Sequence, residues 1–242
     1  MKKDINELIQ NKEYKTAEKL LRKLYVKNEI DYLELHQLAF LNIIKSNNTE
    51  AINFLKKSIE KNPNYPNSYS DLGSLYLKDN RIYEAKKCFI KSLDFNKNLF
   101  SSLNNLGIIY KNQREYKLAI KYFLNALRVN PKNYLVVYNL AQLFDALEDY
   151  NKAKEFYIKT LNLNPSYGNA IVAFYNLLLK TFEWRIIKKF EPKLKNFGVQ
   201  SYQGGDPLTF LYLEEENYTR KLRAINFFNS RFRRDYVKLK PQ

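Results

Sequence analysis

Leu72-Gly73-Ser74-Leu75-Tyr76, Leu106-Gly107-Ile108-Ile109-Tyr110 and Leu140-Ala141-Gln142-Leu143-Phe144 repeat one pattern at an interval of 34 residues. Behind each comes a second element at a fixed distance: Ala85 with Phe89, Ala119 with Phe123, and Ala153 with Tyr157. The last two units close at Pro131 and Pro165. One interval earlier stand Leu38-Ala39, Ala51 with Leu55, and Pro63, and one earlier still Leu8, Ala17 and Leu21. Self-similarity at a fixed period of this length marks a chain of stacked, equivalent modules, none of which can bury its apolar face alone.

Within a unit the apolar positions fall three and four apart, as at Tyr69, Leu72, Gly73 and Tyr76, which places them on one stripe of a helix. The whole chain holds 6 glycines and 7 prolines, so helix breakers are scarce over long stretches. Glycine inside a helix costs about 1 kcal/mol against alanine. Gly73 and Gly107 are therefore expected where the two helices of a hairpin approach closely, with aromatic side chains of the next unit above them. Each proline falls just before a following unit, where it stops a helix or begins one without wasting an N–H donor.

The order Leu-Gly-x-x-Tyr, then Ala-x-x-x-Phe, then Pro resembles the signature of the tetratricopeptide repeat. That resemblance implies an all-α fold, a right-handed superhelix of helical hairpins with the first helices lining a concave face. The expected organisation is a repeat solenoid over 1–167, made of a partial unit 1–31 and full units 32–65, 66–99, 100–133 and 134–167. Residues 168–242 are expected to form a capping helix and a helical junction with a basic tail, Trp184 covering the end of the stack. Departures from the pattern are mild: Asn42 stands where an aromatic is usual and Lys97 where a proline is usual.

Composition narrows the function classes. One cysteine, Cys88, excludes an internal disulfide, and with a single histidine, His36, there is no ligand cluster for a metal and no cofactor is expected. The N-terminus enters an amphipathic pattern without the apolar core of a signal peptide, and the longest nearly uncharged run, Ala170 to Leu179, is too short to cross a bilayer. A cytoplasmic setting without membrane attachment follows as the expectation. The net charge of +16 is discounted because the lysine, asparagine and isoleucine bias resembles translation of AT-rich DNA.

The element Phe182-Glu183-Trp184, followed by a glycine-containing loop at 198–206, the stretch Pro207 to Leu213 and a basic helix over 218–232, resembles the junction of bacterial protein O-GlcNAc transferases and their SPINDLY-like relatives. In that family the junction joins the repeats to a catalytic domain, and the first element is usually Cys-Asp-Trp. The resemblance implies a recognition arm for a nucleotide-sugar-dependent glycosyltransferase whose catalytic domain lies outside this chain. No catalytic residue is assigned here.

In these transferases an asparagine ladder on the first helices holds acceptor peptides. The same repeat position holds Gln37, Asp71, Asn105 and Asn139, with Asn104 beside them. An amide offers a donor and an acceptor, so it pairs with a peptide unit whatever the side chain of that unit. Ala173 ends the series. The bland alternative is a row of solvated polar residues in an asparagine-rich chain. A second groove type of the family grips a C-terminal carboxylate through lysine and arginine, but those positions hold Asn67, Ser70, Ser101 and Asn104. His36 and Cys88 are read as packing residues. Basic residues from Arg220 to Lys240, interleaved with Phe227, Phe228, Phe232 and Tyr236, admit a nucleic-acid reading, but no named motif supports it. The expected partner is thus a polypeptide, with a free-standing adaptor as the alternative to the transferase arm.

Overall fold

A computed structural model describes residues 2–183, 185 and 186; Trp184 and everything expected beyond residue 186, including the junction, the Gly204-Gly205 loop and the basic tail, lie outside the described residues. The described part is all-α, with eleven helices and no strand among its residues. It falls into two compact units that divide between Asn130 and Pro131.

The first unit holds α1 (Lys2–Gln10), α2 (Tyr14–Val26), α3 (Tyr32–Ile44), α4 (Asn48–Lys61), α5 (Pro66–Lys78), α6 (Ile82–Phe95), α7 (Phe100–Asn112) and α8 (Tyr116–Val129). The second holds α9 (Tyr134–Ala146), α10 (Tyr150–Leu163) and α11 (Gly168–Lys180). Odd-numbered helices are the first helices of the hairpins and even-numbered ones the second. Each hairpin packs on itself and then on the next first helix within its unit. Helix starts follow from local chemistry. Asp31 and Glu34 close a reciprocal capping box on α3, Pro66 opens α5, and Asp149 accepts from the Lys152 amide at the start of α10.

The turn inside every hairpin is the same. Lys12, Ser46, Asn80, Arg114, Glu148 and Phe182 all have φ between 56° and 62°, the left-handed region that L side chains avoid. The strain is offset by two hydrogen bonds that tie down the last carbonyls of the first helix. In α9 these are Glu148 N–H to Asp145 O at 3.0 Å and Asp149 N–H to Phe144 O at 2.9 Å. After α11 they are Phe182 N–H to Leu179 O at 3.2 Å and Glu183 N–H to Leu178 O at 3.0 Å. The turn that follows the other first helices therefore recurs after α11, at the Phe182-Glu183 element.

The second helix α2 also ends in this turn, at Asn28, whereas α4, α6, α8 and α10 end differently. Asn62, Asn96, Asn130 and Asn164 each leave the helix, and their N–H groups bond to Ser58, Ser92, Ala126 and Thr160 carbonyls. Asn62, Asn96 and Asn164 then accept from an amide two residues on, a local turn that asparagine favours.

The glycines serve a close approach. A Cβ on Gly73 would lie 2.8 Å from the Phe89 ring, and one on Gly107 would lie 2.6 Å from the Phe123 ring. The ring belongs to the second helix of the same hairpin, and not to the next unit as the sequence suggested. Phe89 and Phe123 are fully buried. In the second unit, Ala141 and Ala153 with Tyr157 form the corresponding seam, which continues into Phe174, Tyr175 and Leu178 of α11. Asn42, in place of the usual aromatic, is buried with its amide satisfied: it donates to Leu38 O at 2.8 Å and accepts from Asn47 Nδ2 at 3.3 Å.

Candidate peptide-binding face

The expected site residues sit on first helices at one register: Gln37 on α3, Asp71 on α5, Asn104 and Asn105 on α7, and Asn139 on α9. All five are half-buried. Those of the first unit are joined across neighbouring first helices by side-chain hydrogen bonds. Gln37 Nε2 donates to Asn6 Oδ1 of α1 at 2.5 Å, which uses one of its two N–H groups internally, and its Oε1 is buried without a hydrogen-bond partner. Asn105 Nδ2 reaches Ser74 Oγ of α5 at a long 3.4 Å, and Ser74 itself donates to Ser70 O at 3.0 Å. Ser70 and Ser101 share a hydrogen bond of 2.7 Å, so two of the positions where carboxylate-gripping relatives carry cations hold neutral hydroxyls turned to each other. In the second unit, Asn139 is not without a partner either.

Sequence reasoning left His36 without an acid. The fold supplies one from the next hairpin: His36 Nε2 lies 2.9 Å from Asp71 Oδ2, 35 residues away. A carboxylate only accepts, so Nε2 carries the proton. The ring also stands edge-on to Tyr65, centroids 5.3 Å apart, and Tyr65 packs on Tyr32. Among the described residues no serine, threonine or cysteine side chain is hydrogen-bonded to the imidazole, so the pair lacks the nucleophile of a hydrolytic triad. Its evident work is to orient Asp71, whose side chain remains 38% exposed while that of His36 is 16% exposed. The signal was available in part: His36 and Asp71 differ by one repeat interval plus one residue, which places them on adjacent first helices.

Electrostatics differ between the two sets of helices in the first unit. Among the first helices, α7 carries Lys111 as its single charged side chain, and burial pulls that ammonium below its ordinary range. Second helix α8 carries Lys117, Lys121 and Arg128 and no acid. Over α3, α5 and α7 the acids Glu34 and Asp71 stand against Lys78 and Lys111, so these first helices are close to neutral.

Models of the tetratricopeptide repeat match residues 54–87, 100–133 and 136–167. The chain carries tetratricopeptide repeats. The match at 54–87 is offset by part of a unit, which a cyclic pattern permits. Among curated protein sequences there is no match. Of solved tetratricopeptide-repeat structures and their like, the chain is similar to pilF of Pseudomonas aeruginosa, at 20% identity and a TM-score of 0.66 over 84% of this chain and 93% of that one. It is similar also to the C-terminal part of a repeat-containing protein from Cytophaga hutchinsonii, at 16% identity and a TM-score of 0.66 over 93% of each chain. A third similar structure is YrrB, described as a TPR protein with an unusual peptide-binding site, at 14% identity and a TM-score of 0.63 over 83% of this chain and 95% of that one. At these identities the likeness is one of fold.

Proposed function

We infer that this tetratricopeptide-repeat protein binds polypeptide, and that extended chain lies along the first helices within a unit. The reading is carried by the register shared by Gln37, Asp71 and Asn105 on successive first helices of the first unit, a register that Asn139 keeps in the second: short polar side chains recurring where a peptide backbone presents recurring N–H and C=O groups. A peptide-binding site named for the similar structure YrrB supports it. Asp71, held by His36 and half-exposed, supplies an acceptor for a peptide N–H, and Asn105, with Asn104 beside it, supplies both kinds of group. Gln37, spent on Asn6, contributes least.

The double variant Asn105→Ala, Asn139→Ala tests this. Two lost hydrogen bonds of about 1 kcal/mol each weaken affinity for bound peptides by roughly thirtyfold. Unchanged affinity by fluorescence anisotropy removes the amide series from the site.

The finer reading, a recognition arm of a protein O-GlcNAc transferase, rests on Asn105 and Asn139. Phe182-Glu183, which also suggested it, adopts the left-handed turn that the other hairpins use, and Trp184 of the same element lies outside the described residues. The alternative is an adaptor that organises other proteins through the same face. No described helix is long and apolar enough to cross a membrane. Sequence of the gene past codon 242 separates the two: a strand, a glycine-containing loop and a histidine of a transferase domain would support the arm, and a stop codon the adaptor.

A further inference from the structure

A depression of about 630 Å³ opens beside α6, lined mostly by that second helix and by none of the residues assigned to peptide binding. Tyr69 and Cys88 line its inner part, Tyr83 and Ile90 its open side, and Lys86, Lys87 and Lys91 its rim. The repeat pattern gives a reason for the space. The register of Cys88 holds Phe54 in α4, Tyr122 in α8 and Phe156 in α10. Each of those rings packs on a neighbour: Phe54 edge-on to Tyr25 at 5.4 Å, Tyr122 stacked on Tyr110 at 5.3 Å, Phe156 stacked on Phe144 at 5.3 Å. In α6 a thiol stands where an aromatic ring belongs. Tyr76, which corresponds to Tyr110, takes the Arg81 guanidinium over its face at 4.2 Å instead.

The surroundings are those of a binding notch. Tyr83 is 77% and Ile90 41% exposed, large apolar side chains left in water next to a recess. The rim is cationic: of its three lysines, Lys86 lies over Tyr110, Lys91 lies over Phe95 and 4.0 Å from Asp94, and Asp94 is the one acid lining the space. Burial pushes the Cys88 thiol up to about 11, so at neutral pH it is an uncharged, inert wall.

We propose that this notch receives an aromatic side chain from an acidic segment of a partner polypeptide, the ring seated against Tyr69, Cys88 and Ile90 and the flanking carboxylates meeting Lys86, Lys87 and Lys91. A peptide is favoured over a nucleic acid because the inner wall at Cys88 and Ile90 is apolar, and a phenyl ring loses nothing there whereas a nucleobase would leave its polar edge unpaired. The site is separate from the first-helix face and stands whether or not that face binds peptide.

The full chain is presented to a displayed library of random peptides about twelve residues long, and each recovered peptide is measured against Cys88→Phe, which fills the notch from within, and Ile90→Asp, which spoils its exposed wall. Ile90→Asp keeps the test decisive should Cys88→Phe misfold, and circular dichroism checks both. A class of peptides with one aromatic residue among aspartates and glutamates is expected, weakened at least tenfold by either variant, weakened further as salt rises, and unaffected by Asn105→Ala. Recovery of no peptide that distinguishes the variants overturns the proposal. So do distinguishing peptides that lack the aromatic or the acids, or a single-stranded oligouridylate of about twelve nucleotides whose binding is the one lost in Cys88→Phe.

Discussion

Hairpins α5/α6 and α7/α8 lie in the same unit, start from the same sequence pattern and share the same seam, yet two of their differences, one turn apart in the second helix, change how that helix packs. Both place a glycine of the first helix against the ring of a phenylalanine in the second, Gly73 on Phe89 and Gly107 on Phe123. Both turn through a left-handed residue, Asn80 and Arg114. Where α8 has Tyr122 stacked on Tyr110, α6 has Cys88 and an open recess. Where α8 has Ala126, α6 has Ser92 hydrogen-bonded to Ser102 of α7. The seam is thus common property of the repeats, while the flanking positions are free to vary. A solenoid whose modules touch only their neighbours tolerates such variation, because each change is felt locally.

The shared seam is the part most costly to disturb. Phe89→Ala and Phe123→Ala each remove a fully buried ring, and each is expected to cost about 3–5 kcal/mol in urea unfolding. Near-equal values support a common seam. A Phe89→Ala cost far below that of Phe123→Ala would show that the recess beside Cys88 already lets α6 relax, and the two hairpins would no longer be equivalent. Next come the glycines. Alanine gains about 1 kcal/mol of helix propensity, but its methyl meets a buried ring that has no room to retreat, an overpacking cost of about 1–3 kcal/mol. Gly107→Ala, at 2.6 Å, is expected to destabilise more than Gly73→Ala, at 2.8 Å. A stabilised Gly107→Ala would remove close approach as the reason for glycine.

What the sequence disclosed follows the same division. The hairpins were legible because their seam residues recur: Gly73 and Gly107, Ala85 and Ala119, Phe89 and Phe123 are spaced by the period itself. The left-handed turn was illegible, because Lys12, Ser46, Asn80, Arg114, Glu148 and Phe182 share a backbone conformation and no side-chain type. Phe182 was accordingly read as the start of something new. The register of Gln37, Asp71, Asn105 and Asn139 could be counted off, but the engagement of Gln37 by Asn6 and of Asp71 by His36 depends on how adjacent first helices meet. The notch beside Cys88 was in principle countable, as a missing aromatic among Phe54, Tyr122 and Phe156, though a lone cysteine draws attention to its chemistry and not to the ring it replaces.

The smallest expected effect lies at the second difference between the hairpins. The Ser92 hydroxyl donates to Phe89 O at 2.7 Å and lies 2.6 Å from the Ser102 hydroxyl, and both serines are fully buried. An equivalent pair, Ser58 with Ser68 at 2.8 Å, joins α4 to α5, whereas α8 carries Ala126 in this register and dispenses with the hydroxyl. Ser92→Ala strands the Ser102 hydroxyl away from water, which costs about 1–3 kcal/mol, and Ser102→Ala does the same to Ser92 less completely, because Ser92 keeps the Phe89 carbonyl. Removing both leaves nothing unpaired. The double variant Ser92→Ala, Ser102→Ala is therefore expected to be hardly less stable than Ser92→Ala alone, with a coupling of about 1 kcal/mol in a double-mutant cycle. Strict additivity would mean that the two hydroxyls do not depend on each other, and that the serine of α6 and the alanine of α8 are interchangeable for packing reasons alone.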